Sequence, residues 1–414
     1  MEPKKLSVVI VGGGFGGIAA ALELERHRLP GLKITLISDK SHFEYHPGLY
    51  HVVTGKSPLE VCVPIVEILK DKAIEFENDQ IVDINFEKRI AVGSSGSHYS
   101  FEYLILALGA ETAYFNIPGL KEFSFGFKSI TEALKLKEHL HHLFEMAAKS
   151  ETTPEMRLSL LHFVIVGAGP SGVELAGELV HYAKKLAEQH KVNDELIAVD
   201  LIEAAPRILP MFPHEVSVRI AARLRSLGVN IFVNRQMVKE DIEQISLRGM
   251  TMKTETVIWT AGVKPNSFFQ KLVGLSFDPK GHVVVDDELR AKGVREVFVI
   301  GDGAATQFSG LAQTAIYDGR FVARNTIRAC RGESQVSYQP HKPAYSVPVG
   351  RGWAATLFKS FIFYGMIGWV LRRLADLHYF LSILPLSKAL TAFRSDRQLC
   401  ESCDICASEE SLHH

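Results

Sequence analysis

The sequence lacks three features: an excess of charge, a long apolar run and an export signal. Lysine and arginine number 46 against 47 aspartates and glutamates, a net charge of −1. We expect no nucleic-acid partner, because binding phosphates needs a basic excess. No stretch contains the roughly 18 uncharged apolar residues that a spanning helix needs. The first residues run from two lysines directly into a glycine-rich turn, which predicts a chain that is not exported.

Cysteine is also scarce. Five cysteines in 414 residues do not predict a disulfide framework. Three of them form a C-x-x-C-x-x-C pattern at Cys400, Cys403 and Cys406. This spacing can begin a zinc or iron–sulfur site, but only His413 or His414 is near enough to supply a fourth ligand. We therefore expect a reducible thiol cluster or a lipid-modifiable tail, and no metal site.

Glycine is plentiful, and its placement predicts a nucleotide-binding turn. Leu6–Val11 reads as a strand and Ile18–Glu25 as a helix. The turn between them has the G-x-G-x-x-G pattern, in which the glycines allow a tight turn, close approach to a pyrophosphate and packing of helix on strand. The phosphates would meet N–H groups at the positive end of the helix. The residues expected at this cofactor are Gly12, Gly14, Phe15, Gly16 and Gly17.

The sequence leaves open which of two residues at the end of the second strand binds the ribose. An acidic residue is expected there to hold ribose hydroxyls. Ile34–Ile37 is instead followed by Ser38, and Asp39 comes one position later. Either Ser38 binds the ribose directly or Asp39 does, and a solvated turn aspartate is the alternative for Asp39.

A second glycine turn has the same pattern of strand, turn and helix. His162–Val166 reads as a strand and Val173–Tyr182 as a helix. The chain is long enough for two large lobes and an appendage, so the two turns predict two nucleotide-binding units in tandem. The polar segment Lys149–Glu155 between them is a surface connection or a domain boundary. The second turn's expected contacts are Gly167, Gly169, Pro170, Ser171 and Gly172.

The strand after this turn, Ala198–Ile202, ends in Glu203. A carboxylate there accepts hydrogen bonds from both ribose hydroxyls and repels a 2′-phosphate. We therefore expect NADH to be preferred over NADPH. Arg207 lies close enough in sequence to meet a phosphate, but ordinary surface pairing is its expected role.

Three further strand–turn segments point to cofactor contacts. Tyr103–Ala110 and Val257–Val263 are buried strands that end in small residues, where the backbone can pass close to a cofactor. Val297–Ala304 contains an aspartate, Asp302, at a predicted strand end, where it can accept from a ribityl hydroxyl or, alternatively, cap a helix. A helix is predicted from about Leu311 to Cys330. The expected contacts are Ala107, Gly109, Ala261, Gly262, Gly301 and Asp302.

Longer segments carry a specific resemblance. They are His42–Gly55 (HFEYHPGLYHVVTG), Gly172–Leu179 (GVELAGEL), Val199–Phe212 (VDLIEAAPRILPMF) and Gly310–Asn325 (GLAQTAIYDGRFVARN). Together with the two glycine turns, their order resembles the pyridine nucleotide-disulfide oxidoreductase-like superfamily and, over nearly the full length, the type II NADH:quinone oxidoreductases. The resemblance implies an α/β fold with two Rossmann-like domains, one binding FAD and one NAD(P), and a C-terminal amphipathic membrane-docking segment.

The resemblance also implies the domain arrangement. FAD would bind residues 1–115 and 266–340, NADH would bind residues 116–265, and residues 341–414 would form the docking region and the cysteine-containing tail. The flavin ring would meet nicotinamide where the domains adjoin. The residues implied to contact FAD are Gly12, Gly14, Gly17, Lys40, Ile81, Gly109 and Asp302.

The implied reaction passes a hydride from NADH to FAD and then two electrons to a membrane quinone, without proton pumping. Ala312 and Gln313 would face the quinone side of the flavin. The family usually has a second glutamine where this chain has Tyr317, so the acceptor is an open question. Quinol formation needs protons, and Glu174, His46 and Tyr317 are the candidates for relaying them.

The C-terminal segment predicts an amphipathic helix that is broken at Pro385. By itself such a stripe is more often a core or homodimer contact, but the resemblance favours peripheral docking on the cytoplasmic face of a membrane. Basic residues, including Arg372 and Arg373, would then meet anionic lipid. The apolar stripe comprises Phe363, Ile367, Val370, Leu374, Leu377, Leu381 and Leu384.

Two other functions compete with this one. A sulfide:quinone oxidoreductase would need paired redox cysteines beside the flavin, and Cys62 and Cys330 do not sit in such motifs. A flavoprotein of the apoptosis-inducing-factor type would oxidise NADH slowly and serve as a redox sensor. Steady turnover with a short-chain quinone distinguishes the enzyme from the sensor.

Overall fold

The computed structural model describes residues 6–395, so the three tail cysteines and the two terminal histidines lie outside the described residues. The helices are α1 (Phe15–Arg26), α2 (Leu49–Val53), α3 (Ile65–Leu69), α4 (Leu120–Phe123), α5 (Ile130–Ala148), α6 (Pro154–Leu160), α7 (Pro170–His190), α8 (His214–Leu227), α9 (Ala312–Cys330), α10 (Gly365–Ile383) and α11 (Leu386–Ser395).

The strands are β1 (Leu6–Val11), β2 (Leu32–Ser38), β3 (His42–Glu44), β4 (Cys62–Pro64), β5 (Glu75–Asn78), β6 (Ile81–Asn85), β7 (Ile90–Gly93), β8 (His98–Ser100), β9 (Tyr103–Leu106), β10 (Ala110–Thr112), β11 (Phe125–Gly126), β12 (His162–Val166), β13 (Ala198–Ile202), β14 (Val229–Phe232), β15 (Met237–Asp241), β16 (Gln244–Leu247), β17 (Met250–Lys253), β18 (Thr256–Trp259), β19 (Val263–Pro265), β20 (Val297–Val299), β21 (Tyr345–Pro348), β22 (Ala354–Phe358) and β23 (Phe361–Tyr364).

The chain folds into two compact units, each assembled from separate stretches of sequence. Unit 1 comprises the residues up to Glu44 together with Val63–Glu111 and Val263–Pro343. Unit 2 comprises Tyr45–Cys62, Thr112–Gly262 and the residues from Ala344 onward. The C-terminal helices therefore belong to unit 2.

Unit 1 is built on a five-stranded sheet in the order β20-β9-β1-β2-β5, in which all neighbours are parallel. Val8 and Ile10 of its central strand are fully buried, as expected for a parallel sheet that is covered on both faces. The helices α1 and α9 approach so closely that a Cβ at Gly319 would collide with the carbonyl oxygen of Gly16. This contact holds α9 against the helix that begins at the first glycine turn.

Unit 2 repeats the plan with the sheet order β11-β18-β12-β13-β14, again parallel throughout. The helices α5 and α7 cover it, with Phe144 and Phe163 stacked in the core at a ring separation of 6.1 Å. A capping box begins α5, because Ser129 and Glu132 satisfy each other's backbone N–H groups. Smaller antiparallel sheets flank the two units: β6-β7-β8 in unit 1, and β15-β16-β17 and β21-β22-β23 in unit 2.

The local predictions around both glycine turns are confirmed in detail. The strands β1, β12 and β13 have the predicted bounds. The two following helices, however, begin earlier than predicted, at Phe15 and Pro170, because the last residues of each glycine turn already take up helical conformation.

Other boundaries needed correction. The strands β9 and β18 end at Leu106 and Trp259, several residues before the predicted ends, because the small residues that follow form the turns. Lys149–Glu155 joins α5 to α6 inside unit 2, so it is a connection within a unit. Both differences occur at segments of small or polar residues, where the sequence pattern of a strand or a helix ends.

The helix α10 has a charged buried face and an apolar exposed face. Arg373 and Asp376 are 8% and 5% exposed, whereas Ile367 and Leu374 are 64% and 55% exposed. The expectation that Arg372 and Arg373 meet lipid is wrong, because both turn inward and pair with carboxylates. The predicted break is confirmed by the end of α10 at Ile383. Within residues 6–395, no helix is long and apolar enough to cross a membrane.

Candidate active site

The first glycine turn has the geometry of a phosphate cradle. Gly12 has a φ of +115°, and a Cβ there would collide with the carbonyl oxygen of Ala107. A Cβ at Gly17 would collide with the carbonyl oxygen of Gly12. Gly14 instead faces open space and precedes α1 without any side-chain cap, so the first N–H groups of the helix point to free volume. Such an end favours an anion.

A cavity of about 300 Å³ in unit 1 adjoins this turn. Gly12, Ser38, Asp39 and Ile81 all line it, so the structure brings four of the predicted cofactor contacts together. Ser38 is the last residue of β2 and is buried, whereas Asp39 is exposed. The Ser38 hydroxyl accepts a hydrogen bond from the Lys40 backbone N–H at 3.2 Å. Both side chains therefore border the cavity, as the two alternatives for ribose binding require.

Two further residues predicted to contact FAD, Lys40 and Gly109, also lie in unit 1. The Lys40 ammonium lies 2.6 Å from a carboxylate oxygen of Glu44. Gly109 has a φ of +66° and open space where a Cβ would stand, and its carbonyl oxygen accepts from the Asn266 N–H at 3.1 Å. The backbone therefore passes an open region just after β9, as the sequence predicts.

The Asp302 turn is held by a residue that the sequence analysis missed. Gly301–Gly303 forms a single helical turn after β20. Asp318, fully buried on α9, accepts from the Gly301 N–H at 3.1 Å and from the Tyr338 hydroxyl at 2.6 Å. Burial raises the pKa of Asp318 to about 6, although both hydrogen bonds lower it. Asp318 thus fixes the turn from the neighbouring helix.

The first turns of α9 carry the residues predicted to face the electron acceptor. Ala312 begins the helix, and Gln313 is exposed beside it. Tyr317 follows one turn later, with its ring 5.5 Å from the ring of His341 and 5.7 Å from that of Tyr338. These aromatic contacts fix the Tyr317 ring within unit 1.

The second glycine turn repeats the cradle in unit 2. Gly167 has a φ of +112°, and a Cβ there would stand 2.6 Å from the backbone of Ala261. A Cβ at Gly172 would collide with the Gly167 carbonyl oxygen, while Gly169 faces open space before α7. The Thr260 hydroxyl, which the sequence analysis missed, donates to the Gly167 carbonyl oxygen at 2.8 Å. The turn is therefore tight on its inner side and open toward the helix N-terminus.

Glu203 lies at the end of β13 beside this turn. Its two carboxylate oxygens accept from the backbone N–H groups of Ala168 at 2.9 Å and Ala205 at 2.8 Å. These bonds fix the carboxylate next to the glycine turn and leave further lone pairs for a ligand. Arg207 instead donates to its own loop, with contacts to Pro210 and Ser217 at 2.6 Å each. Arg207 therefore makes its hydrogen bonds with groups other than Glu203.

Glu174 lies one turn into α7, against the C-terminal helix. A guanidinium nitrogen of Arg372 lies 3.6 Å from the Glu174 carboxylate. Burial raises the pKa of Glu174 to about 7; the Arg372 charge lowers it and the Asp376 carboxylate raises it. Glu174 can therefore hold or release a proton near neutral pH, which is the property its predicted role requires.

Arg372 joins Glu174 to the segment that contains His46. Its side chain donates to Asp376 at 2.9 Å and to the carbonyl oxygen of Pro47 at 3.2 Å. The Tyr45 hydroxyl donates to Asp376 at 2.5 Å, so both sequence neighbours of His46 are bound to this network. The four-residue spacing of Arg372 and Asp376 on one helix predicts that they can pair, but it does not predict the face to which they turn.

Comparison with known proteins agrees with this geometry. The model of the pyridine nucleotide-disulphide oxidoreductase family matches residues 6–319. A type II NADH:quinone oxidoreductase of Mycobacterium tuberculosis is 33% identical over 91% of this chain and 85% of its own length. One from Staphylococcus haemolyticus is 28% identical over 82% of this chain and 86% of its own length.

Solved structures share the fold. The NDH2 of Plasmodium falciparum in complex with NADH superposes with a TM-score of 0.85 at 18% identity, covering 95% of this chain and 97% of that one. The sulfide:quinone oxidoreductase of Aquifex aeolicus has a TM-score of 0.77 at 19% identity, covering 94% and 92%. By its sequence relatives and family model, the chain belongs to the pyridine nucleotide-disulphide oxidoreductase family and, within it, to the type II NADH:quinone oxidoreductases.

Proposed function

We propose that the protein is an FAD-dependent NADH:quinone oxidoreductase that does not pump protons. The observation that carries this function is the full-length kinship with type II NADH:quinone oxidoreductases, at 33% identity, in a chain that retains both glycine cradles. The overall reaction is NADH + H⁺ + quinone → NAD⁺ + quinol. The hydride brings two electrons and one proton, and the second proton comes from the medium.

FAD and NADH are the cofactors of the reaction, and the residues of unit 1 fit FAD. The Gly12 turn and the uncapped start of α1 offer N–H groups to a pyrophosphate, and the 300 Å³ cavity offers room for an adenosine end beside Ile81. Asp302, fixed through Asp318, is placed to accept from a hydroxyl of the flavin's side chain. When bound, the flavin accepts a hydride and passes electrons onward.

Unit 2 offers the matching site for NADH. The Gly167 turn and the open N-terminus of α7 suit the pyrophosphate, and the Glu203 carboxylate suits the two ribose hydroxyls. A 2′-phosphate would meet the negative charge of Glu203 without help from Arg207, which is bound to its own loop. These contacts support NADH as the reductant in preference to NADPH.

The residues proposed for the quinone step lie in both units. Gln313 and Tyr317 would contact the quinone or position it. Glu174 is the proposed proton donor, because it is buried, titrates near neutral pH and is held by Arg372. His46 is the second candidate, since it lies between Tyr45 and Pro47, which are both bound to the same network.

The test is spectroscopic. The purified protein should show a flavin spectrum that NADH bleaches and a soluble short-chain quinone restores, with steady turnover and a clear preference for NADH over NADPH. A colourless protein that cannot take up FAD would overturn the function. A flavin that NADH reduces but quinone does not reoxidise would favour the redox-sensor alternative.

The exposed apolar face of α10 supports peripheral docking on the cytoplasmic face of a membrane. The large apolar side chains of α10 project from one side of the helix and are exposed, as are Phe361 and Leu386 on the neighbouring elements. Because α10 turns its charges inward, electrostatics from this helix would contribute little to docking. The exposed residues of the face are Met366, Ile367, Val370, Leu374 and Leu381.

Docking is tested by flotation with vesicles of mixed zwitterionic and anionic phospholipid. The double variant Ile367→Glu/Leu374→Glu should stay at the bottom of the gradient, while the wild type floats. The control Val273→Glu changes a 90% exposed apolar residue of unit 1 and should float. A change in oligomer mass with unaltered flotation would assign the face to a homodimer contact.

The sulfide:quinone oxidoreductase alternative is weaker. Its support is fold similarity at 19% identity. Within residues 6–395 the cysteines are Cys62 and Cys330, which belong to different units and are far apart in sequence. Failure of sulfide to bleach the flavin would exclude this activity.

A further inference from the structure

A buried carboxylate and an imidazole, Glu60 and His51, are in contact in unit 2. Neither residue has a role in the reaction proposed above. Glu60 ends the short helical turn Pro58–Glu60 and is 1% exposed. One of its carboxylate oxygens lies 2.7 Å from Nδ1 of His51 on α2. The other lies 3.4 Å from a guanidinium nitrogen of Arg373 on α10. An acid and an imidazole in direct contact form a site where one proton can reside on either group.

This pair is connected to Glu174 by an unbroken series of charged contacts. Arg373 lies 3.4 Å from Glu60 and 3.9 Å from Asp376. Asp376 is bound to Arg372 at 2.9 Å, and Arg372 lies 3.6 Å from Glu174. All five side chains are at most 12% exposed, so their charges are poorly screened by solvent.

The charges of this network do not balance. Three carboxylates, those of Glu174, Asp376 and Glu60, face two guanidinium groups. Arginine keeps its charge at any physiological pH, so among these five side chains one carboxylate lacks a counter-charge unless a proton is bound. The half-buried Lys56 offsets part of that charge at Glu60 from outside the network. Burial raises the pKa of Glu60 to about 7, although Arg373, Lys56 and Arg372 lower it, which places both Glu60 and Glu174 near neutrality.

We propose that the Glu60–His51 pair is a proton-binding site that compensates the charge of Glu174 when Glu174 gives its proton to the quinone. The proposal rests on the proposed function, in which one proton per turnover comes from the medium. When Glu174 is ionised, it competes with Asp376 for the positive charge of Arg372. Asp376 then interacts more strongly with Arg373, and this weakens the interaction of Arg373 with Glu60. Glu60 therefore binds a proton more tightly as Glu174 releases one, and the network keeps its net charge.

Other nearby groups do not replace this pair. Burial and the Asp376 carboxylate raise the pKa of Tyr45 far above its ordinary value, and burial does the same for Tyr50, so both stay protonated. Neither arginine can donate a proton. Further titratable or charged residues near the pair in sequence, or on the helices that contact α2 and the Pro58–Glu60 turn, include Lys56, Lys137, His141, Glu178, Lys388 and Arg394.

The decisive variant is Glu60→Gln in the full-length holoenzyme. Removing this negative charge leaves two carboxylates for two arginines, so Glu174 gains a counter-charge of its own. The pH at which quinol formation slows should fall by about one unit, in line with the effect of one nearby charge on a pKa. Glu60→Asp should restore the wild-type pH. The pH profile is read from the reoxidation of NADH-reduced enzyme by a soluble quinone.

A matched control is Glu240→Gln. Glu240 is also buried in unit 2, and burial together with Glu122 raises its pKa to about 8, but it lies on β15, outside the network. Its replacement should leave the pH profile of quinol formation unchanged. A profile of Glu60→Gln that matches wild type and this control would overturn the proposal.

A second measurement separates this proposal from the proposed function. Infrared titration of the carboxylic-acid C=O band in the oxidised protein needs no quinone. In Glu60→Gln one buried acid should disappear and the band of Glu174 should titrate at lower pH. Unchanged titration of Glu174 would overturn the coupling even in an active enzyme, whereas an inactive protein with the expected titration would fail only the function.

His51→Gln covers the case in which Glu60→Gln does not fold. The glutamine can still hydrogen-bond Glu60 but cannot carry a positive charge. The network then becomes more negative, so both the pH profile and the titration of Glu174 should move to higher pH, opposite to Glu60→Gln. No shift in this variant would also overturn the proposal.

Discussion

The two glycine turns are nearly the same cradle, but the groups proposed to bind a ribose beside them differ. Gly12 and Gly167 share a φ near +115° and lie against the backbone of the neighbouring strand's turn. In unit 2 the next strand ends in Glu203, fixed by two backbone N–H groups. In unit 1 the corresponding strand ends in Ser38 and Asp39 at the wall of a cavity. We therefore expect the cradle to bind a pyrophosphate in both units, and the strand end to determine which ribose is bound and how tightly.

Unit 2 also carries a carboxylate directly after its glycine turn, whereas unit 1 has an apolar residue at the corresponding position. Glu174 follows its glycine turn directly and is bound by Arg372, whereas the corresponding position after the first turn, Ala19, is a buried alanine. The unit proposed for NADH thus also carries the proposed proton donor.

The largest effect is expected from an alanine in each cradle. Gly12→Ala should give a protein without bound flavin, because the Cβ would collide with Ala107; the destabilisation should be about 2 kcal/mol or more. Gly167→Ala should keep its flavin but lose bleaching by NADH. Flavin absorbance per chain and the NADH titration measure both.

The control for this pair is Gly96→Ala, at a φ of +84° in an open turn of unit 1. It has comparable backbone strain without a collision, and it should keep both flavin and activity. Equal flavin loss in Gly12→Ala and Gly167→Ala would contradict the division of cofactors between the units.

Next in size is Glu174→Gln. A buried general acid contributes roughly 100-fold or more to its step, so quinone-driven reoxidation should slow by about that factor while reduction by NADH is unchanged. Rapid-mixing absorbance separates the two half-reactions. Glu240→Gln, buried on β15 outside the network, is the control. A slowed NADH half-reaction with normal reoxidation would contradict the role of Glu174.

The same variant should change the pH dependence of stability. Glu174 has a pKa of about 7 in the folded protein against 4.5 ordinarily, so the folded state binds the proton more tightly. Its contribution to the free energy of unfolding is therefore full below pH 4.5 and is lost as the pH rises toward 7. Glu174→Gln should remove this part of the slope in denaturant unfolding, and an unaltered slope would contradict the raised pKa.

A smaller effect is expected at the ribose-binding end of unit 2. Glu203→Gln keeps the shape of the side chain but removes its charge, so the KM for NADH should rise roughly tenfold, as expected for one charged hydrogen bond. The KM for NADPH should change less or fall, because the repulsion of a 2′-phosphate is gone. Steady-state kinetics with both nucleotides measure this, with Glu195→Gln on the surface as the control. An unchanged preference for NADH would remove the role of Glu203.

How much the sequence could predict depends on whether the information was local. The strands and glycines of both turns follow from patterns within about 15 residues, which is the span over which hydrophobic periodicity is informative. Thr260 supports the second glycine turn and Asp318 supports the Asp302 turn, each from a separate part of the sequence, so no local pattern marks them.

The helix α10 shows a second limit. Between Ile367 and Leu381 its periodicity correctly separates the apolar residues from the charged ones, whereas Phe363 and Leu384 of the predicted stripe lie outside the helix. Periodicity also gives two faces without saying which one is buried. Burial of the charged face depends on carboxylates supplied by Glu174 and Glu60, more than 190 residues earlier. A buried charge is stable only with such partners, and the partners are visible only in the folded chain.

The smallest effect decides between Ser38 and Asp39 in unit 1. The Ser38 hydroxyl already accepts the Lys40 N–H, and it can make only one further donation. The Asp39 carboxylate, exposed at the cavity wall, can accept from two ribose hydroxyls. Asp39→Asn should therefore speed FAD loss severalfold, consistent with about 1 kcal/mol for one hydrogen bond, and Ser38→Ala should change it less. Flavin fluorescence after dilution measures the release. The reverse order would assign the ribose to Ser38, which the strand register makes the counterpart of Glu203, because Ile37 pairs with Val11 as Ile202 pairs with Val166.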